Sequence, residues 1–129
     1  MKVTKGDQWI LSCTPNFQET VIFFRDVLGL AVTDEGTPVT DTQFIRYAQF
    51  KLPNETVIEV VEPTEAARPL YNAPVVSIMV DDLAQARREL ADRQIEFVAP
   101  IFETKEGWAW TYFRAPDGNV YQIQGPYQS

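Results

Sequence analysis

The sequence predicts an α+β protein of two β-α-β-β-β modules, whose eight strands form mixed sheets curled into a cup with the helices outside. Three repeated features predict this class. A short apolar run precedes each predicted helix, and the two helix caps lie 66 residues apart, at Asn16 and Asp82. Two segments that read as a turn and then a strand, 53–63 and 116–126, lie 63 residues apart. The near-constant spacing indicates a duplicated module.

The first module begins with the apolar run WILSCTP at 9–15, which predicts a strand that ends at a corner proline. Asn16 follows as a helix N-cap, and Glu19 three residues later completes the pattern of a capping box. Gly29 suits the C-terminal stop of this helix. The apolar residues that the helix would bury recur at spacings of four, three and four: Phe17, Val21, Phe24 and Leu28.

Three strands complete the first module. The short run GLAVTDE at 29–35 precedes a loop, and the aromatic-rich TQFIRYAQFK at 42–51 predicts a long strand. LPNETVIEVVEP at 52–63 then gives a proline, turn formers, and a strand that closes on a second proline.

The second module repeats this order. VVSIMVD at 75–81 predicts its first strand, and Asp82 caps a helix with Gln85 three residues on. IEFVAPIF at 95–102 predicts one short strand, and GWAWTYFR at 107–114 a long one. The last hairpin is APDGNVYQIQGPY at 115–127. The apolar stripe of the second helix is narrower: Leu83, Ala86 and Leu90.

The chain of 129 residues predicts one domain, 1–129, with module 1 at about 7–62, a proline-rich linker at 63–73 and module 2 at about 74–126. One helix covers one face of a four-stranded sheet, so a single module leaves its other face open. Two modules side by side would enclose a shared cavity. Open sheet edges also favour a homodimer, with modules paired within one chain or across two.

The net charge of −7 argues against nucleic acids and anionic membranes as partners, because it repels phosphate backbones and anionic membrane surfaces. We therefore expect no nucleic acid and no membrane as partners. The start of the chain has no apolar run of signal-peptide length, and the single cysteine, Cys13, agrees with a reducing compartment. These features predict a cytoplasmic protein.

Two segments resemble signatures of the vicinal oxygen chelate superfamily, which contains glyoxalases, bleomycin resistance proteins and extradiol dioxygenases. FFRDVLGL at 23–30 is similar to its helix-end signature, and APDGNVYQIQ at 115–124 to its last hairpin. The resemblance implies the fold of this superfamily, since one fold can carry many different activities.

The resemblance also implies four positions for the ligands of a divalent metal ion, one on the first and one on the last strand of each module. They fall at Trp9, Glu59, Val75 and Gln122, of which only Glu59 is a strong ligand. The chain contains no histidine. We therefore predict that the metal ligands are not retained, that no cofactor is bound, and that metal-dependent glyoxalase or dioxygenase activity is absent.

Side chains alternate along a strand, so each implied position brings its neighbours two residues away to the cup face. The result is a mostly apolar pocket with a few polar groups, which is typical of small-molecule sites. The predicted ligand-binding residues are Trp9, Leu11, Cys13, Val57, Glu59, Val75, Ser77, Met79, Trp108, Trp110, Tyr112 and Gln122.

Glu59 separates three hypotheses, because a carboxylate in an apolar cup needs compensation. In the first, a metal-free sequestering protein of the drug-resistance type binds an aromatic or cationic molecule, and Glu59 meets the cation. In the second, Glu59 is the catalytic general base of a metal-independent lyase or isomerase, and Gln122 or Ser77 donates to the developing oxyanion. In the third, Glu59 has only a structural ion pair, with Arg46, Lys51 or Arg114.

Two interpretations also stay open for the aromatic residues of 107–114. On the cup face Trp108, Trp110 and Tyr112 would form a stacking wall for a planar or cationic ligand. On the other face they would be core or dimer contacts. For Cys13 the sequence favours a small buried apolar role, because no neighbouring base is visible to activate the thiol.

Overall fold

The fold is seen in a computed structural model, which describes residues 1–38, 43–71, 73–104 and 106–128. The chain divides into two compact units. Residues 7–75 form the N-terminal unit, and residues 1–6 with 76–129 form the C-terminal unit. No helix in the described ranges is long and apolar enough to cross a membrane.

The N-terminal unit has the predicted order of one strand, one helix and three strands. In its sheet the order is β2-β3-β4-β1, with β1 parallel to β4 and the other pairs antiparallel. The elements are β1 (Trp9–Cys13), α1 (Phe17–Ile22) with a π-helical turn (Phe23–Val27), β2 (Val32–Gly36), β3 (Phe44–Lys51) and β4 (Val57–Pro63).

The helix α1 covers one face of this sheet. Phe17 and Val21 pack against Ala48, Phe50 and Val60, all buried. Because side chains alternate along β4 and along β3 from Arg46 onward, the odd-numbered residues of these stretches lie on the opposite face. We call that opposite face the N-terminal helix-free face.

The end of the first helix differs from the prediction. A π-helical turn carries an extra residue, seen in the bond from the Leu28 N–H to the Phe23 carbonyl at 3.1 Å. The extra residue rotates the next part of the helix by about 100°, so Leu28 is 52% exposed and Leu30 packs on the core in its place. Gly29 ends the helix at φ +71°, as predicted.

The cap of the first helix also differs. Asn16 occupies the N-cap position, but its side chain makes no capping hydrogen bond. Its N–H donates instead to Thr14 Oγ1 at 3.0 Å, and its carbonyl accepts from Thr20 Oγ1 at 2.7 Å. The predicted capping box is therefore wrong at this helix.

The C-terminal unit repeats the pattern with the sheet order β5-β9-β8-β6. β5 and β9 are parallel, and β8 is antiparallel to β9 and to β6. The elements are β5 (Val75–Met79, of which Val75 belongs to the N-terminal unit), α2 (Leu83–Asp92), β6 (Glu96–Phe97), β7 (Phe102–Glu103), β8 (Trp108–Arg114) and β9 (Val120–Pro126).

The helix α2 forms as the sequence predicts. Asp82 accepts a hydrogen bond from the Gln85 N–H at 3.1 Å. Leu83 and Ala86 are fully buried against the sheet, and Leu90 packs beside them. We call the face of this sheet that α2 does not cover the C-terminal helix-free face.

The run 95–102 forms two short strands rather than one, so the described residues contain nine strands where eight were predicted. Pro100 interrupts the run because it has no N–H to donate to β8. The carbonyl of Ala99, beside the break, accepts instead from Arg87 Nη1 and Thr111 Oγ1, both at 3.1 Å. β7 returns to β8 two residues after the break and pairs Phe102 with Trp110.

The two repeated hairpins have the same turn. The Leu52 N–H bonds to the Thr56 carbonyl, and the Ala115 N–H bonds to the Asn119 carbonyl. In each turn an Asx side chain, Asn54 or Asp117, accepts the N–H two residues on. The fourth residue is left-handed in both turns, at φ 74° for Glu55 and 85° for Gly118. The duplication predicted from the sequence is therefore present in local structure.

Candidate functional site

Glu59 lies at the middle of β4 on the N-terminal helix-free face. Val57 and Val61 share that face, two residues away on either side, and both are buried. The pairing of β4 with its neighbours places Leu11 of β1 and Gln49 of β3 beside Glu59. The alternation predicted from the sequence therefore brings an acid into a row of apolar side chains.

The carboxylate of Glu59 accepts one hydrogen bond, from Gln49 Nε2 to Oε2 at 2.6 Å. Burial raises the pKa of Glu59 to about 7; the bond from Gln49 opposes this rise, and the negative charge of Asp34 adds to it. At neutral pH this carboxyl group is close to half ionised. Its ionised form can accept a proton or form an ion pair with a cation.

The basic residues named in the third hypothesis have other partners. Arg46 Nε lies 2.6 Å from Glu62, and its guanidinium stacks on Phe17, on the side of the sheet that α1 covers. Lys51 Nζ lies 3.1 Å from Glu55. In the C-terminal unit Arg114 Nε lies 3.7 Å from Glu96. None of the three pairs with Glu59 among the described residues, so the third hypothesis lacks the ion pair it needs; a neutral amide contacts the carboxylate instead.

Trp9 and Cys13 extend the same row on β1, opposite Val57 and Val61. Both are partly buried. Burial, and then the charge of Glu59, raises the pKa of the Cys13 thiol to about 12. The thiol is therefore protonated at neutral pH, and the packing role of Cys13 stays a prediction.

Sequence reasoning missed two aromatic residues of this unit, Tyr47, whose phenol feels the charge of Glu59, and Tyr71, whose phenol feels that of Cys13. Tyr47 lies on the same face of β3 and donates to Asp34 Oδ2 at 3.1 Å. Tyr71, in the segment predicted to be a linker, is 3% exposed and donates a hydrogen bond to the side chain of Gln43. Burial raises the pKa of both phenols. Alternation along β3 could have indicated Tyr47, but no sequence signal pointed to Tyr71.

The C-terminal helix-free face carries a connected row of polar side chains. Ser77 of β5 lies beside Gln122 of β9, which lies beside Tyr112 of β8. Gln124 Nε2 donates to Ser77 Oγ at 2.7 Å and to Gln122 Oε1 at 3.3 Å. Gln122 Nε2 donates to Tyr112 Oη at 3.1 Å, and Trp108 Nε1 donates to Gln124 Oε1 at 2.9 Å.

The structure fixes the face of the aromatic residues of β8. Ala109, Thr111 and Phe113 lie on the side of α2, so Trp108, Trp110 and Tyr112 lie on the C-terminal helix-free face. Tyr112 is buried, whereas the two indoles are partly exposed. Phe102 of β7, which the sequence did not indicate, packs on Trp110 with ring centroids 6.0 Å apart.

Val75 and Met79 are the remaining predicted residues of β5. Val75 is 1% exposed. Met79 pairs with Gln124 and is partly buried, and its side chain lies against Gly6 of the N-terminal segment.

The four positions implied for metal ligands do not fit a divalent ion. An indole at Trp9 and an alkyl group at Val75 offer no donor atom, and the amide of Gln122 is a weak ligand. Glu59 alone has the required chemistry. Across the four described ranges no three Cys, Asp or Glu side chains form a group that could hold a metal.

The sequence profile of the glyoxalase/bleomycin resistance protein/dioxygenase superfamily matches residues 8–123. The chain belongs to this superfamily. The family resemblance seen in the two sequence signatures is thereby confirmed. A search of curated proteins found no match.

Solved structures that are similar to this chain include methylmalonyl-CoA epimerases. The enzyme from Mycobacterium tuberculosis has a TM-score of 0.71 and 19% identity, over 98% of this chain and 90% of that one. A variant of the Streptomyces coelicolor enzyme, in complex with 2-nitronate-propionyl-CoA, has a TM-score of 0.70 and 17% identity over 98% and 100%. A hypothetical protein from Bacillus halodurans C-125 has 0.69 and 17% over 97% and 96%. The TM-scores show that these proteins share the fold of this chain, and at identities this low they show the fold alone.

Proposed function

We propose that this superfamily member is a metal-free binding protein for a small organic cation with an aromatic part. The cation would meet Glu59 while the apolar part lies on the N-terminal helix-free face. One observation carries the proposal: Glu59 lies in an apolar row, and the described contact to its carboxylate is a neutral amide rather than a basic side chain.

The energetics favour a cationic partner. The difference between a pKa of 4.5 and one of about 7 corresponds to about 3 kcal/mol, at about 1.4 kcal/mol per pH unit. This is the cost of keeping Glu59 ionised in the fold. A bound cation would recover part of it, because an opposite charge within 4–6 Å favours the ionised carboxylate. Neighbouring Trp9 can add a cation–π contact.

The test uses benzyltrimethylammonium, whose charge does not change with pH. With a pKa of about 7, the ionised fraction of Glu59 falls roughly tenfold from pH 8 to pH 6. We expect calorimetric titration to show binding at pH 8 that weakens about tenfold at pH 6, and benzyl alcohol, a neutral analogue, to bind less at pH 8.

Two variants complete the test. Glu59→Gln keeps the size of the side chain but removes the charge, and it should abolish both the preference for the cation and its pH dependence. Glu62→Gln is the matched control, because Glu62 is on the same strand but pairs with Arg46 on the opposite face. Equal binding of the cation to wild type and Glu59→Gln would overturn the proposal.

A second function, general-base catalysis by a metal-independent isomerase or lyase, is favoured by the position of the Glu59 pKa near neutrality. Gln49 holds Oε2, and no donor among the described residues reaches Oε1. That oxygen is suited to take a proton from a carbon next to a carbonyl, which leaves an enolate on the substrate.

Methylmalonyl-CoA is the first substrate to try, because it is named for the similar structures. In deuterated water we would expect deuterium at its C2, at a rate that rises with pH through about 7. Glu59→Gln should abolish this exchange while ligand binding persists. If neither this thioester nor other α-branched thioesters exchange while the cation binds, the catalytic function is ruled out and only the binding function is supported.

A further inference from the structure

The hydrogen bonds of the C-terminal helix-free face have a fixed direction. An indole N–H can only donate, so the bond from Trp108 Nε1 places the oxygen of the Gln124 side chain toward Trp108. Its nitrogen must then face Ser77 and Gln122, as the bonds at 2.7 and 3.3 Å show. Because Gln122 accepts through Oε1, its own nitrogen faces Tyr112. One donor-only group therefore orients two amides.

With the bonds in this direction, two adjacent donors have no acceptor among the described residues: the Ser77 hydroxyl and one N–H of Gln122. Ser77 Oγ accepts from Gln124, so its hydroxyl proton points elsewhere, and none of the described residues accepts it. Gln122 Nε2 has a second N–H beyond the one given to Tyr112. Ser77 is 9% and Gln122 5% exposed, and they are direct partners in the pairing of β5 with β9. A chain of hydrogen bonds polarises its members, which strengthens the terminal hydroxyl as a donor.

Aromatic surface flanks these donors. Trp108 and Trp110 occupy the same face and keep part of their rings exposed, while Phe102 supports Trp110 from β7. The rings are held in place, Trp108 by its bond to Gln124 and Trp110 by packing. A rigid indole beside an oriented donor suits a flat ligand, since stacking and hydrogen bonding can then act on one planar group.

The geometry points to a binding site on this face for a neutral, planar carbonyl compound, such as an aromatic amide. Its carbonyl oxygen would accept from Ser77 Oγ and the second N–H of Gln122, and its ring would lie on Trp110. The residues that form the site carry no positive charge, so a carboxylate would lose hydration without gaining a counter-charge. This site is proposed in addition to the cation site of Glu59 and is tested with other probes and variants.

Benzamide is the probe, with benzoate and toluene as comparisons. We follow the indole N–H resonances by NMR, assigned with single Trp→Phe variants, and expect benzamide to shift those of Trp108 and Trp110. Ser77→Ala should weaken benzamide roughly five- to tenfold, the effect of one hydrogen bond, while Ser77→Thr, which keeps a hydroxyl, should retain most of the affinity. Ser12→Ala is the matched control, because Ser12 is a partly buried serine in β1 of the N-terminal unit.

Trp110→Leu provides a second test if Ser77→Ala does not fold, because it removes the ring and leaves the hydrogen-bonded row in place. It should also weaken benzamide by a similar factor. The proposal is overturned if benzamide at millimolar concentration shifts neither indole, if benzoate binds as tightly, or if neither Ser77→Ala nor Trp110→Leu lowers the affinity. None of these outcomes bears on cation binding by Glu59, which is measured with benzyltrimethylammonium.

Discussion

The substitution Glu59→Gln should make the protein more stable at alkaline pH and leave its stability unchanged in acid. Glu59 has a raised pKa in the fold, about 7 against 4.5 when unfolded. Between these values the folded chain holds a proton that the unfolded chain has released, so the free energy of unfolding falls as the pH rises. The loss of unfolding free energy is nearly complete above pH 7 and nearly absent below pH 4.5.

The magnitude comes from the same two values. About 2.5 pH units at about 1.4 kcal/mol each give about 3 kcal/mol at pH 8. Glutamine resembles the protonated acid, and its Oε1 can still accept the hydrogen bond from Gln49 Nε2. We therefore expect Glu59→Gln to gain about 3 kcal/mol at pH 8, or roughly 10 °C in Tm for a chain of this size.

Urea unfolding of both proteins from pH 4.5 to pH 8.5, followed by circular dichroism, measures the difference. The two stability curves should meet near pH 4.5 and separate up to about pH 7. Should Glu59→Gln instead be less stable by the same amount at every pH, the native carboxylate has a compensating partner and the electrostatic argument for a ligand fails.

Three further predictions concern the fold around the two faces. Asp82→Ala should lower the free energy of unfolding by about 1 kcal/mol, because the helix loses its cap. Asn16→Ala should lower it distinctly less, because the Asn16 side chain makes no capping hydrogen bond. Equal losses in urea unfolding would contradict this. Gly125→Ala should cost about 2 kcal/mol or more, or prevent folding, because a Cβ there would lie 2.2 Å from the Val80 carbonyl oxygen; a variant as stable as wild type would refute the close approach. Cys13 should react with iodoacetamide at pH 8 far more slowly in the folded protein than in 6 M guanidinium, because its pKa is raised to about 12; similar rates, measured by mass spectrometry, would show a thiolate in the fold.

The sequence predicts the parts of this fold that depend on local chemistry. The two hairpins form the same turn because Pro, an Asx residue and a left-handed fourth residue specify it within five positions. Asp82 caps its helix for the same reason. The π-helical turn that exposes Leu28 has no such local code, and the 3.6-residue period alone places Leu28 in the core.

The candidate site is predicted less completely, because its contacts cross between strands. Alternation along β4 identifies Glu59 and its apolar neighbours, yet the partner Gln49 depends on the register of β3 against β4. A shift of one residue would have placed Gln49 on the side of α1. The face of Trp108 and Trp110 likewise depends on which side of the sheet receives α2. The shared cup, the homodimer and the cytoplasmic location stay predictions.

The most direct test of the central claim is the titration of Glu59 itself by carbon-13 NMR. The Cδ resonance, assigned by comparison with Glu59→Gln, should titrate with a midpoint near pH 7 in the ligand-free protein. Addition of benzyltrimethylammonium should move that midpoint to lower pH, because a bound cation favours the carboxylate. A midpoint near 4.5 in the free protein would show that the acid is already compensated, and the account of its function would be wrong.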